Sequence, residues 1–161
     1  MIIFFYFLLL LTIFLLILKL IFSFAYFQKV NNLEKSKIDE SNYTIIQPIL
    51  SGDPRLEEDL TANLKNTIEI KFIWLVDKSD KIAIQTVENI LKNKNYFNRV
   101  KVYYLDDVPQ EVNPKIFKLG QVIDKIKTEY TIILDDDATI DRKKLDELSI
   151  YEKDKTEWIA T

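Results

Sequence analysis

A chain of 161 residues with neither cysteine nor histidine has no disulfide framework, thiolate metal site, or Ser-His-Asp or Cys-His catalysis open to it, so its chemistry rests on carboxylates and amines. Its only glycines, Gly52 and Gly120, leave no place for a G-x-G-x-x-G dinucleotide loop or a G-x-x-x-x-G-K-[ST] phosphate loop. Of the 22 basic residues only Lys19 falls within the first 27 positions, leaving 21 basic against 25 acidic, a net −4 with no basic block, and no nucleic-acid partner is expected.

The length suits one modest domain plus an anchor. Residues 1–27 are apolar apart from Thr12, Lys19 and Ser23, and as a helix they exceed the roughly 20 residues that span a bilayer. We read them as a retained transmembrane anchor in which Lys19 snorkels toward the interface. A cleaved signal peptide is the rival, but the segment lacks a basic start, a short apolar run and a small-x-small site. Lys29, Lys35 and Lys37 follow the span, which favours a cytoplasmic location for the rest. Residues 28–42 read as a polar linker and residues 43–161 as the globular domain.

From Tyr43 strand and helix patterns alternate. Residues 43–47 read as a strand closed by Pro48, and Asp53-Pro54 as a helix start, with Asp as cap and Pro at the first position. Leu56, Leu60 and Leu64 then share one face. Residues 68–76 form a second apolar strand ending at Asp77. Asp80 can cap a helix whose buried stripe is Ile84, Val87, Ile90 and Leu91. Residues 99–105 supply a third strand, and 106–113 a polar loop. The spacing of Ile116, Leu119, Ile123 and Ile126 predicts a helix over 115–127 with those residues inward. After the fourth strand comes a helix capped by Asp141 that carries Leu145 and Leu148. Such alternation predicts an α/β fold, a mostly parallel sheet with helices on both faces, preceded by one transmembrane helix.

The fourth strand carries the chemistry. In Tyr130-Thr131-Ile132-Ile133-Leu134-Asp135-Asp136-Asp137-Ala138-Thr139 a short apolar run, patterned as a central strand covered on both faces, stops in three adjacent carboxylates. The carboxyl ends of such strands are where open α/β sheets bind ligands. No Lys or Arg follows before Arg142, so mutual repulsion calls for a cation, and a hard divalent ion suits oxygen ligands. Asp136 reads as a solvated spacer, Trp74 as a core residue, and Trp158 is open. Asp77 reads equally as a helix cap or loop residue, and Lys115 as an exposed first-turn lysine.

Four pieces in order resemble the family 2-like glycosyltransferases of the GT-A fold, in particular the ceramide glucosyltransferase branch. Pro48-Ile49-Leu50-Ser51-Gly52-Asp53-Pro54-Arg55-Leu56 is similar to that branch's Pro-x-x-x-Gly-x-x-Pro-x-Leu opening, one residue tighter. Asp77 matches the family's first acidic position, Asn113-Pro114-Lys115 its Asn-Pro-Lys element, and Asp135-Asp136-Asp137 its Asp-x-Asp signature. The resemblance implies an inverting, membrane-anchored transferase that takes a hexose from a UDP-sugar donor to a lipid or glycan acceptor. It implies that Asp77, Lys115, Asp135 and Asp137 bind the donor, with Asp77 at the uracil or ribose and Lys115 at a phosphate. Asp135 and Asp137 would hold Mg²⁺ or Mn²⁺, which offsets charge on the leaving diphosphate.

The family's acceptor half, with its catalytic base and Gln-x-x-Arg-Trp element, is not found here, and residues 157–161 look like the start of another strand. We therefore expect the donor-binding part of a longer transferase. A non-catalytic membrane-tethered nucleotide-sugar-binding or interaction module is the main alternative. A haloacid-dehalogenase-like phosphohydrolase, with Asp135 as nucleophile and Asp137 as acid–base, is a further one, though the chain after Asp137 is short for the rest of that site. An EF-hand is excluded because the acidic stretch lacks the alternating ligands and central glycine.

Overall fold

In the structure, a computed structural model describing residues 2–31, 36–106, 108–109 and 111–152, the chain divides into two compact units, Met1–Ser36 with Ser149–Thr161 and Lys37–Leu148. The first contains helix α1 (Ile2–Asn31). Its stretch Ile3–Gln28, 26 residues with a mean hydropathy of 2.8, is long and apolar enough to cross a membrane. At about 1.5 Å per residue it runs roughly 39 Å, against a hydrocarbon core of about 30 Å. The Thr12 hydroxyl donates to the Leu8 carbonyl at 2.9 Å, so its polar group is satisfied within the helix.

The second unit is built on four parallel strands, β1 (Tyr43–Ile49), β2 (Lys71–Asp77), β3 (Val100–Leu105) and β4 (Tyr130–Ile133), in the order β3-β2-β1-β4. Helices α2 (Leu56–Asn66) and α3 (Lys81–Leu91) follow β1 and β2, the short α4 (Lys94–Phe97) precedes β3, and α5 (Pro114–Gly120) follows it. Helix α6 (Arg142–Glu147) closes the unit, and the short α7 (Ser149–Glu152) belongs to the first. Alternate residues of each strand feed two cores. Tyr43, Ile45, Ile49, Phe72, Trp74 and Val76 pack with Leu60 and Leu64 of α2, Val87 of α3 and Leu145 of α6. Ile46, Ile73 and Leu75 pack with Val122 on the other face.

Several elements differ from the sequence expectation, each for a visible reason. Strand β1 runs through Pro48 to Ile49. Leu134 donates to the Ile46 carbonyl, so even-numbered positions of β1 face β4. That ladder ends at the Ile46–Ile133 pair, so the N–H that Pro48 lacks falls where the pairing stops. Strand β2 starts at Lys71, not near Ile68, because the Glu40 carboxylate takes the amides of Ile68, Glu69 and Ile70 at 2.6, 2.7 and 3.3 Å. Glu40 itself is buried and ion-paired with Arg142, and Ile38 is buried too, so the end of the stretch read as linker is structured. Helix α2 begins at Leu56; Asp53 instead closes a tight turn, accepting from the Arg55 amide at 2.7 Å.

The helix expected over 115–127 is two pieces, α5 and a 3-10 turn Ile123–Lys125. Ile116 and Ile123 are 67% and 64% exposed, while Lys118 and Val122 are buried. Apolar spacing treats lysine as outward-facing; here an ion pair draws Lys118 in and rotates the face. Strand β4 lies at one end of the described sheet, with Ile133 53% exposed, so it is not the doubly covered central strand its apolar run implied. Residues 157–161, including Trp158, lie outside the described residues.

Candidate functional site

Chain order makes the site. From β1 the chain builds outward through β2 to β3, then returns to add β4 on the opposite side of β1. That reversal point lies between β1 and β4, and the carboxyl ends of strands at such a point are where open α/β sheets bind ligands. The acidic triplet stands there. Leu134 extends the ladder to β1, and the chain then turns sharply, the Ala138 amide donating to the Asp135 carbonyl at 3.2 Å with Asp136 and Asp137 at the corners. Asp135 and Asp137 are exposed and Asp136 is half-buried.

Behind the turn lies a polar brace invisible to hydrophobic patterning. The Trp74 indole donates to Gln47 Oε1 at 3.1 Å, and Gln47 Nε2 reaches the Asp135 carbonyl at 3.4 Å. Trp74 and Gln47 are both fully buried, which places Trp74 in the core as expected. Asn63 of α2, also fully buried, donates to the Ala138 carbonyl at 2.9 Å and accepts from the Ile140 amide at 2.7 Å. Asn66 adds a bond to the Ile140 carbonyl at 2.8 Å.

Asp136 is not a solvated spacer: its Oδ2 accepts from the Leu50 amide at 2.7 Å. The next amide, Ser51, donates to Asp80 Oδ2 at 2.9 Å, while Asp80 Oδ1 caps α3 through the Ala83 amide. Burial would raise the Asp80 carboxyl, but the amides of Ala83 and Ser51 outweigh it and hold the group below its ordinary 3.8.

Helix α5 supplies two cations to this end of the sheet. Asn113 caps it through the Ile116 amide at 3.2 Å, with Pro114 in the first turn, so Asn-Pro-Lys has a local structural meaning. Lys115 pairs with Asp135, both largely exposed; tertiary structure thus provides the counter-charge that the local sequence lacks. Lys118 Nζ, with only 2% of its side chain exposed, lies 2.8 Å from Asp77 Oδ2 at the end of β2. Asp77 Oδ1 is buried and has no hydrogen-bond partner among the described residues. Three of the four sequence-predicted site residues are therefore engaged, Lys115 with Asp135 and Asp77 with Lys118. Lys118, Gln47 and Asn63 were missed, since burial of a polar side chain shows no periodic signal.

Among the described residues no group of three or more His, Cys, Asp or Glu side chains gathers to enclose a metal. Two exposed carboxylates on one turn still fit a hard ion of the Mg²⁺ type, which retains waters and takes most of its remaining ligands from substrate phosphates.

The mannosyltransferase PcManGT from Pyrobaculum calidifontis, solved in complex with GDP-Man and Mn²⁺, superposes on this chain with a TM-score of 0.59 at 14% identity, covering 83% of this chain and 40% of that one. What the two share is the fold, a mostly parallel α/β sheet with flanking helices of the GT-A type. The chain spans about two-fifths of that protein's length. No protein-family model matches the sequence, and no curated relative is found.

Proposed function

We propose that this chain is the donor-binding part of a membrane-anchored, inverting glycosyltransferase that uses a UDP-hexose and a lipid or glycan acceptor, as in the ceramide glucosyltransferase branch. The acidic turn at the sheet's reversal point, within a glycosyltransferase fold, carries this reading. PcManGT is described with a nucleotide sugar and Mn²⁺, which supports the same donor class and a divalent ion here. Asp135 and Asp137 would hold Mg²⁺ or Mn²⁺, which supplies charge neutralisation for the departing diphosphate. Lys115, beside Asp135, would turn to a donor phosphate.

Asp77, at the end of β2 and ion-paired with Lys118, would lie at the uracil or ribose of the donor. The anchor would place the domain at the cytoplasmic face, on the evidence of the lysines after the span.

Calorimetric titration of UDP-glucose, UDP and GDP-mannose into the full chain in detergent micelles, with and without Mn²⁺, tests the proposal. UDP-glucose should bind much more tightly with metal than without it, and more tightly than GDP-mannose, and Asp137→Asn should abolish the metal-dependent gain while leaving the melting temperature unchanged. Undiminished binding by Asp137→Asn would remove the metal role. No binding by the intact protein would favour the interaction module.

A further inference from the structure

The middle carboxylate of the triplet has a task of its own. Leu50, the first residue beyond β1, occupies an even-numbered position and so presents its amide on the β4 side, where the ladder has already ended. Asp136 fills that gap with a side chain, its Oδ2 2.7 Å from the Leu50 nitrogen. Asp80 takes the following amide from the β2 side at 2.9 Å. Successive amides of the β1–α2 loop are thus gripped by carboxylates from the two flanking strand ends. The Asp135 carbonyl is held by Gln47, and the chain beyond the turn by Asn63, so the turn is fixed before and after its corner. Asp136 is the one link in this set that joins the corner itself to the neighbouring loop.

We propose that Asp136 is a positioning residue that locks the acidic turn to the β1–α2 loop, so that Asp135 and Asp137 are presented to the donor and its metal in one arrangement. The inference rests on the nucleotide-sugar reading of the site. What Asp136 contributes is a hydrogen-bond acceptor, not a charge at the ligand. A neutral side chain of the same shape can therefore replace it, whereas a truncated one cannot.

The decisive comparison is Asp136→Asn against Asp136→Ala in the full chain in micelles. Asp136→Asn keeps an acceptor for the Leu50 amide and should bind UDP-glucose with Mn²⁺ within a few-fold of the parent. Asp136→Ala should lose on the order of 10- to 100-fold in metal-dependent binding, the range typical of residues that orient metal ligands. Metal-free uridine binding should be unchanged in both, which a merely unfolded or loosened domain would not allow. Equal losses in the two variants would make Asp136 a charge or metal ligand and overturn the proposal, as would the absence of loss in Asp136→Ala. Hydrogen exchange of the Leu50 amide reads the clamp without any ligand: it should accelerate in Asp136→Ala alone, and unchanged protection would overturn the clamp. If the parent binds no nucleotide sugar, the donor reading and this role fall together, while the exchange result still decides whether the clamp exists.

Discussion

Lys118 shows how much one residue can conceal from sequence reading. A lysine about one turn into an amphipathic pattern is ordinarily a solvated side chain, yet here it is buried against Asp77. Two charges removed from water are tolerated only as a pair, and removing one partner leaves the other uncompensated. Lys118→Met should therefore destabilise the domain by about 3–5 kcal/mol, read as a shift in the urea unfolding midpoint, and should weaken uridine binding by freeing Asp77. A variant of unchanged stability would mean that Asp77 is hydrated in solution and the pair contributes little. Arg99 is a half-buried cation with a purely structural place. Its guanidinium donates to the carbonyls of Leu64, Thr67 and Ile70 at 3.0, 2.9 and 3.2 Å, collecting acceptors from the end of α2 to the start of β2.

At the scale of elements, caps were the most legible signals. Asp80 and Asp141 each cap the helix they were expected to cap, because an N-cap is a local bond between a short side chain and an amide two or three residues on; Asp53, read as a third cap, closes a turn before α2 instead. Asp80 does more, since it also holds the Ser51 amide. Its carboxyl titrates below the ordinary 3.8 in the folded protein. The stabilisation is therefore complete above the unfolded value and is lost as pH falls through the lower folded one. Asp80→Asn, with one acceptor oxygen for the two amides of Ala83 and Ser51, should be less stable than the parent near neutral pH by about 1 kcal/mol for the lost bond, and the gap should narrow as pH falls below ~4. Parallel pH profiles of unfolding would show that Asp80 acts through shape alone. The elements that broke expectation are those whose ends are set by distant groups, such as β2, shortened by Glu40, and the helix after Asn113, turned by Lys118.

At the scale of the whole molecule, an apolar helix and a domain of opposite character share one chain. Ile3–Gln28 meets the length and hydropathy of a span, and the positive residues after it predict that Lys37–Leu148 faces the cytoplasm. The absence of cysteine makes this directly measurable. Glu57→Cys, at an exposed position of α2, should react with a membrane-impermeant maleimide in inverted vesicles and not in right-side-out ones. The reverse pattern would put the domain outside, and labelling in both, with the protein removed by alkaline carbonate, would make the helix something other than a span.

Hydropathy, strand–helix alternation, caps and the acidic end of the fourth strand could be read from residues alone, because each depends on neighbours a few positions apart: a 3.6 or 2.0 period, a side chain reaching a nearby amide, like charges in sequence. The triplet's importance was visible in this way, but the division of labour within it was not. Only the tertiary structure, by laying β4 beside β1 and α5 across the sheet ends, gave Asp135 its lysine, Asp136 its amide and Asp77 its buried partner. Those contacts join residues 20 to 86 positions apart, and no local pattern records them, because burial of a polar group is decided by the group that meets it and not by the residues beside it.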